Sequence, residues 1–398
     1  MENKVLKVGV FGLWRGLSHI MSIEVMDEAE IVAICDQNPE KVEQAKKHCP
    51  ADVKVCKDFD ELLDSGIELV VLCNYLPDHA ACAIKALRKG IAVVTECLAA
   101  ATMKECVELV EAVEETGVYF SMAENSPYGT ACLEMERVYG TGILGEVMYA
   151  EAEYCHPSDP ANANKYIPDD KHWRRKLPRT YYLTHSLGPL MNMTRLMPKR
   201  VIGKVTQGVG YAKRRNGTRG DGGGIMLVEM DGGVLFRVTG CNCYGPETHW
   251  FRLACSNGGV ESVRTAEDTI NLAINPWDLP EEMAHLGHNT FYTPDADAAT
   301  KKAISRGLPD VGHLLTDFRC VRNYVTEVVE GKAPDMDVYR ACAQSAVGIL
   351  GWQSVLNDSK QYDIPDFKDP AQREQYRNDD KSPWNDDFPF TMFQVDDS

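Results

Sequence analysis

Within the first 120 residues, short apolar runs rich in β-branched residues alternate with helix-like segments, and this alternation constrains the fold most. The apolar runs are "KVGVFG" (7–12), "EIVAICD" (30–36), "IELVVLCN" (67–74), "GIAVVTE" (90–96) and "GVYFSM" (117–122). Between them, helices are expected over 39–48, 58–65, 78–89 and 102–116. Near-continuous apolar strands separated by helices predict a parallel sheet covered on both faces. Pro39 and Asp78 stand near predicted helix starts, and Gly90 and Gly117 follow predicted ends, as capping requires.

After about residue 145 the period changes. Longer alternating strands are expected over 145–156, 200–212, 224–231, 233–243, 249–255 and 259–264. Alternation with period two, as in "VLFRVTG" (234–240), predicts a largely antiparallel sheet with one covered face. The run "TRGDGGG" (218–224) reads as a glycine-rich turn, and helices are expected over 313–331 and 336–357. The predicted class is α/β: an N-terminal Rossmann-type, doubly wound parallel sheet, then an α/β domain with an open, mostly antiparallel sheet. The expected divisions are 1–125, 126–367 and an acidic tail, 368–398, packed irregularly on a neighbouring surface or frayed.

A chain of 398 residues exceeds one ordinary core, which supports two domains. Its formal net charge of -17 argues against nucleic acid or an anionic membrane as partner, because nothing would neutralise phosphates. The start "MENKVLKVGVFG" enters a strand at once, and no apolar run is long enough to span a bilayer, so a cytoplasmic protein is expected. The 14 cysteines include no CxxC pair. Cys241 and Cys243 share a strand face but lack a second pair, so reduced thiols and no metal site are expected.

The first strand opens into "GVFGLWRGLSH", Gly9 to His19. A glycine-rich turn between strand and helix lets backbone amides approach a pyrophosphate. Gly12 and Gly16 are present, but the middle glycine of GxGxxG is absent and Trp14-Arg15 occupies the gap. The second strand ends in Asp36, near the spacing of a ribose-binding carboxylate. Such an acid accepts the 2′-hydroxyl and repels a 2′-phosphate, so NAD is favoured over NADP. A flavodoxin-like sheet without a dinucleotide remains the alternative on these residues alone.

Several motifs in order resemble the Gfo/Idh/MocA oxidoreductases: "KVGVFG…RGLSH", "ICDQNPEK", "LCNYLPDHAACAIKALRKGIAVVTE", "MAENSPYG" and the segment beginning "GHLLTDFRC". The resemblance runs from about residue 5 to 367. It implies NAD contacts from Gly12, Trp14, Arg15, Gly16, His19, Asp36, Asn74, His79, Glu96, Cys97 and Asn125. It also implies a homo-oligomer, dimer or tetramer, with the open sheet at the contact. His313, in the family's Gly-His-x-x-x-Asp segment with Asp317, is implied to border the nicotinamide. Most such dehydrogenases carry Glu-Lys-Pro where this chain has Glu96-Cys97-Leu98. A cysteine near its ordinary pKa, about 8.5, replaces a tuned lysine poorly. Either activity is lost or the acid–base groups lie elsewhere.

The second domain offers them. "YAEAEYCH" places Tyr154 and His156 on one strand face, and "YYLTHSLGPL" places Tyr182 three residues before His185. Both segments resemble the NAD-dependent glycosidases of glycoside hydrolase family 109, which also lack the lysine and carry Glu-x-Pro-Ala-Ala near "ECLAA". The resemblance implies Tyr154, His156, Tyr182 and His185 as catalytic, with His172, Trp173, Arg174 and His249 binding a carbohydrate substrate. Structural alternatives stay open here: a loop histidine at 156, a strand aromatic at 154, a helix-capping His185. No spacing supports a zinc site from His156, His185 and His249. The implied chemistry is glycoside cleavage by transient oxidation at C3, elimination across C1–C2, water addition and re-reduction on a retained cofactor. A plain NAD-linked sugar dehydrogenase and a non-catalytic NAD- or sugar-binding protein are the two rival readings.

Overall fold

The computed structural model describes residues 5–157, 172–207, 221–241, 245–287 and 289–385. The N-terminal segment forms strands β1 (Leu6–Phe11), β2 (Ala29–Cys35), β3 (Lys54–Val55), β4 (Leu69–Leu72), β5 (Ala92–Thr95) and β6 (Phe120–Met122). Helices α1 (Leu13–Glu24), α2 (Pro39–Ala45), α3 (Phe59–Leu63), α4 (His79–Arg88) and α5 (Met103–Thr116) connect them. All pairings are parallel, in the order β3-β2-β1-β4-β5-β6, as the alternation predicted. Only β3 was not anticipated, because its two residues are too few to show a period.

All four side chains of β4 are fully buried, and at about 1.5–3 kcal/mol each such runs are the main stabilisation of the sheet. Helix starts are set by side chains. Asn38 Oδ1 accepts from Glu40 N, and Asp58 Oδ1 from Glu61 N. Thr102 and Glu105 form a reciprocal capping box at α5, and burial pushes the Glu105 carboxyl up to about 7.

Next come α6 (Thr130–Gly140), β7 (Val147–Cys155), α7 (Thr184–Thr194), β8 (Pro198–Gln207), β9 (Asp221–Met230) and β10 (Leu235–Cys241). They are followed by β11 (Thr248–Cys255), β12 (Gly258–Val263), β13 (Ala266–Ile274) and β14 (Thr290–Tyr292). The chain ends with α8 (Ala298–Ser305), α9 (Leu314–Glu330), α10 (Val338–Leu356), β15 (Tyr362–Asp363) and α11 (Pro370–Glu374). The second sheet has nine strands, ordered β14-β13-β12-β11-β7-β10-β9-β8-β15. Among the described residues only β7 and β10 run parallel, so the sheet is mixed and mostly antiparallel, as expected.

One turn expectation is overturned. Gly222, Gly223 and Gly224 lie inside β9, and Gly223 and Gly224 pair with both β8 and β10. Glycine composition alone suggests a turn, but here the missing side chains make room for packing. Residues 208–220 and Cys243 lie outside the described residues, as does 386–398 of the acidic tail.

The compact units also differ from a sequential cut at 125 and 367. One unit comprises Met1–Tyr128, Ala296–Cys342 and Phe367–Asp379; the other comprises Gly129–Asp295, Ala343–Asp366 and Asp380–Ser398. The reason is the apolar face of α9. Cys320, Val321, Tyr324 and Val325 share a core with β1, β2, β4 and α1. The tail is described as far as 385. Within the first unit Arg373 pairs with Glu114 and with Phe367 O, and Arg377 with Glu111.

In the second unit α10 crosses β8 where both surfaces are glycine. A Cβ on Gly203 would stand 2.5 Å from Gly351 O, and one on Gly351 would stand 2.2 Å from Met226 Sδ. Gly203→Ala should therefore overpack this crossing, costing about 1–3 kcal/mol, read as a lower thermal midpoint than wild type. An unchanged midpoint would contradict the close approach.

Candidate active site

The first set of candidate residues gathers at the carboxyl ends of β1, β4 and β5, where ligands bind in open parallel sheets. Gly12 follows β1 with φ of 89°, and a Cβ there would stand 2.4 Å from Cys73 O. Only glycine fits that approach and that conformation. Gly16 is needed for a different reason, since its Cβ would stand 2.6 Å from Val10 Cγ1 as α1 packs on β1. Asp36 Oδ2 accepts from Leu13 N at 2.6 Å, and Oδ1 accepts from Asn38 N. The carboxylate thus sits at the first turn of α1, with lone pairs left for ribose hydroxyls. Trp14 is exposed beside it. Asn74 turns Nδ2 toward Tyr75 O and Cys82 Sγ. Its buried Oδ1 has no partner among the described residues. The glycine cradle, the ribose-side acid and this orphaned acceptor fit a bound dinucleotide.

The remaining predicted residues do not all point at a ligand. Both ring nitrogens of His79 meet backbone carbonyls, Leu98 O at 2.7 Å and Asn74 O at 3.1 Å. Burial lowers its pKa, and in the neutral form one ring N–H donates to one of these two carbonyls. Arg15 spans two acids: Nε lies 2.7 Å from Glu96 Oε1, and its two terminal nitrogens each lie 2.7 Å from an Asp317 oxygen. His19 Nε2 also meets Glu96 Oε1 at 2.8 Å, with Nδ1 at 3.1 Å from Tyr324 OH. Asn125 Nδ2 donates to Asp317 Oδ1 at 2.7 Å. Asp317 and Tyr324 come from α9, whose register places them two turns apart on one face. His313, in contrast, precedes α9 and is exposed.

Cys97 answers the loss of the family lysine. Its thiol donates to Glu124 Oε2 at 3.1 Å, and the Cys97–Leu98 peptide is cis. Burial, then the charges of Glu124 and Glu96, push its pKa well above the ordinary value. At neutral pH it is a thiol, neither base nor nucleophile.

The second set lies in the other unit, at the ends of β7 and β11. Register sets Tyr154 opposite His249, so both share a sheet face, and their rings stack 4.6 Å apart at 15°. Around Tyr154 also stand His185 at 4.7 Å, Tyr182 at 5.6 Å and His156 at 6.0 Å between ring centroids. Tyr182 and His185 meet edge-on at 5.3 Å. The other three residues expected to be catalytic therefore converge on Tyr154, and His249 joins them.

Glycines create the seat for the loop that brings Tyr182 in. Gly240 pairs with both Tyr154 and Gly224, and a Cβ on it would stand 2.8 Å from Leu183 Cδ2. Gly224 lies under Arg179 and Thr180 in the same way, at ordinary contact distance. Burial alone would raise the Tyr182 pKa, but His185, then Arg174, a hydrogen bond from Tyr154 and Arg179 bring it below the ordinary phenol value.

His156 Nδ1 lies 2.8 Å from Glu247 Oε1, both half exposed, so His156 stands at the rim. His156, Glu247 and His249 offer ligand atoms that all lie within 4.8 Å of one another. His172 caps the short turn Trp173–Lys176, its Nδ1 accepting from Arg174 N, and Arg174 lies 4.6 Å over the Trp173 ring. Asp317, Glu124, Glu247 and Trp384 were not expected here; Asp317 alone had a signal, four residues after His313.

The Arg15–Asp317 pair carries a pH signature. Burial pushes the Asp317 carboxyl up, but the Arg15 hydrogen bond and charge pull it down by more, so its pKa is lowered. A lowered carboxylate stabilises above its unfolded pKa, about 3.9, and loses that contribution as pH falls through the folded value. Asp317→Asn should therefore lower unfolding stability by about 1–3 kcal/mol near neutrality. The difference should shrink below about pH 4 in denaturant titrations; a pH-independent difference would contradict the ion pair.

Comparison with known proteins agrees with both halves of this picture. Residues 6–124 match the Gfo/Idh/MocA family model, described as an oxidoreductase family with an NAD-binding Rossmann fold. Residues 289–373 match the glycosyl hydrolase 109 C-terminal domain. An alpha-N-acetylgalactosaminidase from Shewanella oneidensis is 26% identical, over 92% of this chain and 86% of that protein. A glycosyl hydrolase family 109 protein from Shewanella putrefaciens is 26% identical over 91% and 85%. Among solved structures, levoglucosan dehydrogenase with NADH and levoglucosan gives a TM-score of 0.74 at 15% identity, covering 91% of this chain and 100% of that one. Myo-inositol 2-dehydrogenase from Lactobacillus plantarum gives 0.65 at 16% identity, covering 91% and 100%. At those identities the structures speak for the fold, and the matched domains speak for the family. The alternating sheet, the glycine cradle at Gly12 and the domain matches converge: the chain is an NAD-binding enzyme that carries the Rossmann domain of the Gfo/Idh/MocA oxidoreductases over residues 6–124 and the C-terminal domain of glycosyl hydrolase family 109 over residues 289–373.

Proposed function

We propose that this enzyme cleaves a glycoside by a redox route, with its own residues handling two protons and NAD retained through the cycle. The observation that carries the reading is the Tyr154-centred cluster, in which His185 and Tyr182 meet on a phenol whose pKa is lowered while Cys97 stays a protonated thiol. The glycosyl hydrolase 109 domain match and the relative named as an alpha-N-acetylgalactosaminidase support a glycoside as substrate.

Bound NAD would supply a reversible hydride acceptor for C3 of the sugar, which makes the C2 proton acidic; Gly12, Asp36 and Asn74 are the residues suited to hold it. His185 takes the proton from O3 and returns it at the end of the cycle. Tyr154, backed by the Tyr182 phenol, removes the C2 proton as the C1 substituent leaves. The same group then protonates C2 when water adds at C1. The Tyr182 phenol is held below its ordinary pKa by His185 and Arg174 against the cost of its burial, which suits it to proton transfer. His156 and Glu247, half exposed, form a polar rim toward the leaving group. His172, Trp173, Arg174 and His249 line the sugar side, with the Trp173 ring as an apolar platform. No pair of hydrolytic carboxylates is required for this route.

The reaction is testable by cofactor accounting. A panel of nitrophenyl glycosides, N-acetyl-α-galactosaminide among them, should release nitrophenol without accumulating NADH. Steady NADH production from a free sugar with excess NAD would establish a dehydrogenase instead, and bound NAD with neither reaction would establish a binding protein. In deuterium oxide, product sugar should carry deuterium at C2; unlabelled product excludes the elimination. His185→Ala should lower kcat/KM by about 10²–10⁴, whereas Cys97→Ser should leave it within about threefold. The opposite ranking would return the proton chemistry to the lysine position.

A further inference from the structure

Past residue 373, where the glycosyl hydrolase 109 match ends, the tail puts one aromatic side chain against both turns that carry the basic and phenolic site residues. The Trp384 indole Nε1 donates to Trp173 O at 2.8 Å. Its ring meets Tyr181 edge-on at 5.4 Å and 89°, and lies 6.2 Å from the Trp173 ring. Tyr181 rests in turn on Trp352 of α10, itself fully buried, at 6.2 Å. The two turns, Trp173–Lys176 and Arg179–Tyr182, are single 3₁₀ turns. Such turns hold few internal hydrogen bonds, so their geometry depends on what packs against them. Trp384 supplies that packing to both, and its own orientation is set by Trp384 N donating to Ser382 Oγ.

We propose that Trp384 is a positioning residue: it fixes the Trp173–Lys176 turn against the Arg179–Tyr182 turn and so holds the Arg174 guanidinium beside the Tyr182 phenol. The importance of that phenol rests on the reading of Tyr182 as part of the proton machinery; the positioning itself does not. The groups acting on Tyr182 are His185 from α7, Arg174 and Arg179 from the two turns, and Tyr154 from β7. Of these, Arg174 lies on the turn whose carbonyl, Trp173 O, accepts the Trp384 N–H. Releasing the turn moves a positive charge away, which raises the phenol's pKa toward its ordinary value.

The test reads the Tyr182 midpoint directly, as the tyrosinate absorbance difference between each full-length protein and its Y182F counterpart. W384A should raise the midpoint by about half a unit or more, and W384F, which keeps a ring but loses the N–H donor, should raise it less. R174Q should raise it too, and adding W384A to R174Q should produce no further rise. An unchanged midpoint in W384A, or an additive rise in the double variant, overturns the proposal. Should W384A lose its far-UV circular dichroism, W384F alone and on R174Q is read by the same criteria. The titration needs no substrate, so absence of glycoside cleavage with the midpoint shift intact rejects the proposed reaction and leaves Trp384's role standing.

Discussion

The Arg15 guanidinium lies between Glu96 at the end of β5 and Asp317 on α9, and the arrangement of the NAD-binding unit hangs on that contact. The guanidinium, partly exposed, meets a carboxylate on each side. The two acids come from segments far apart in sequence. The pairing therefore requires the helix at 314–330 to return to the glycine turn at residue 12. The apolar face of that helix makes the return favourable, and the bidentate Arg15–Asp317 geometry fixes its register. Neighbouring groups inherit their states from the same cluster. His19 is oriented by Glu96 and Tyr324, Asn125 by Asp317, and the Cys97 thiol stays protonated beside buried acids.

The second unit solves a different problem with different material. It has to press a loop carrying Tyr182 onto a sheet without leaving a void or a clash. Gly224 and Gly240, neighbours on β9 and β10, supply a flat place beside Tyr154. On that seat, aromatic and imidazole rings pack edge-on and face-on around one tyrosine, within the separations at which such rings attract. Packing and chemistry are inseparable here. The same approach that buries Tyr182 brings His185, Arg174 and Arg179 close enough to outweigh the cost of burying a phenolate. In the first unit a guanidinium is held between two carboxylates; in the second, a buried phenol is held among cationic neighbours.

Much of this was legible in the sequence because it follows from period and composition. Apolar runs such as 67–74 and 90–96 have no polar face to offer water, so they must be interior parallel strands. The i, i+2 spacing of Tyr154 and His156 does place them on one face, and the replaced lysine at Cys97 did direct attention to the second domain. Glycine was the ambiguous letter. In "TRGDGGG" composition suggests a turn, yet Gly222 to Gly224 belong to a strand, since glycine serves close packing as readily as it serves bends. At His79 the motif order gives the position but not the two backbone carbonyls, Leu98 O and Asn74 O, that meet its ring.

The sequence by itself determined the two sheet types, the NAD-binding turn and the identity of Tyr154 and the three residues His156, Tyr182 and His185 that gather at it, because strand period, glycine spacing and local motif order are properties of neighbours along the chain. Only the tertiary structure decided that Asp317 closes the Arg15 network, that Glu247 claims His156, that the helix at 314–330 belongs with the first sheet, and that Trp384 reaches Trp173 and Tyr181. Each of those partners lies tens to hundreds of residues away. Their meeting is set by which apolar faces find a core and which charges find a counter-charge, and no local pattern carries that information.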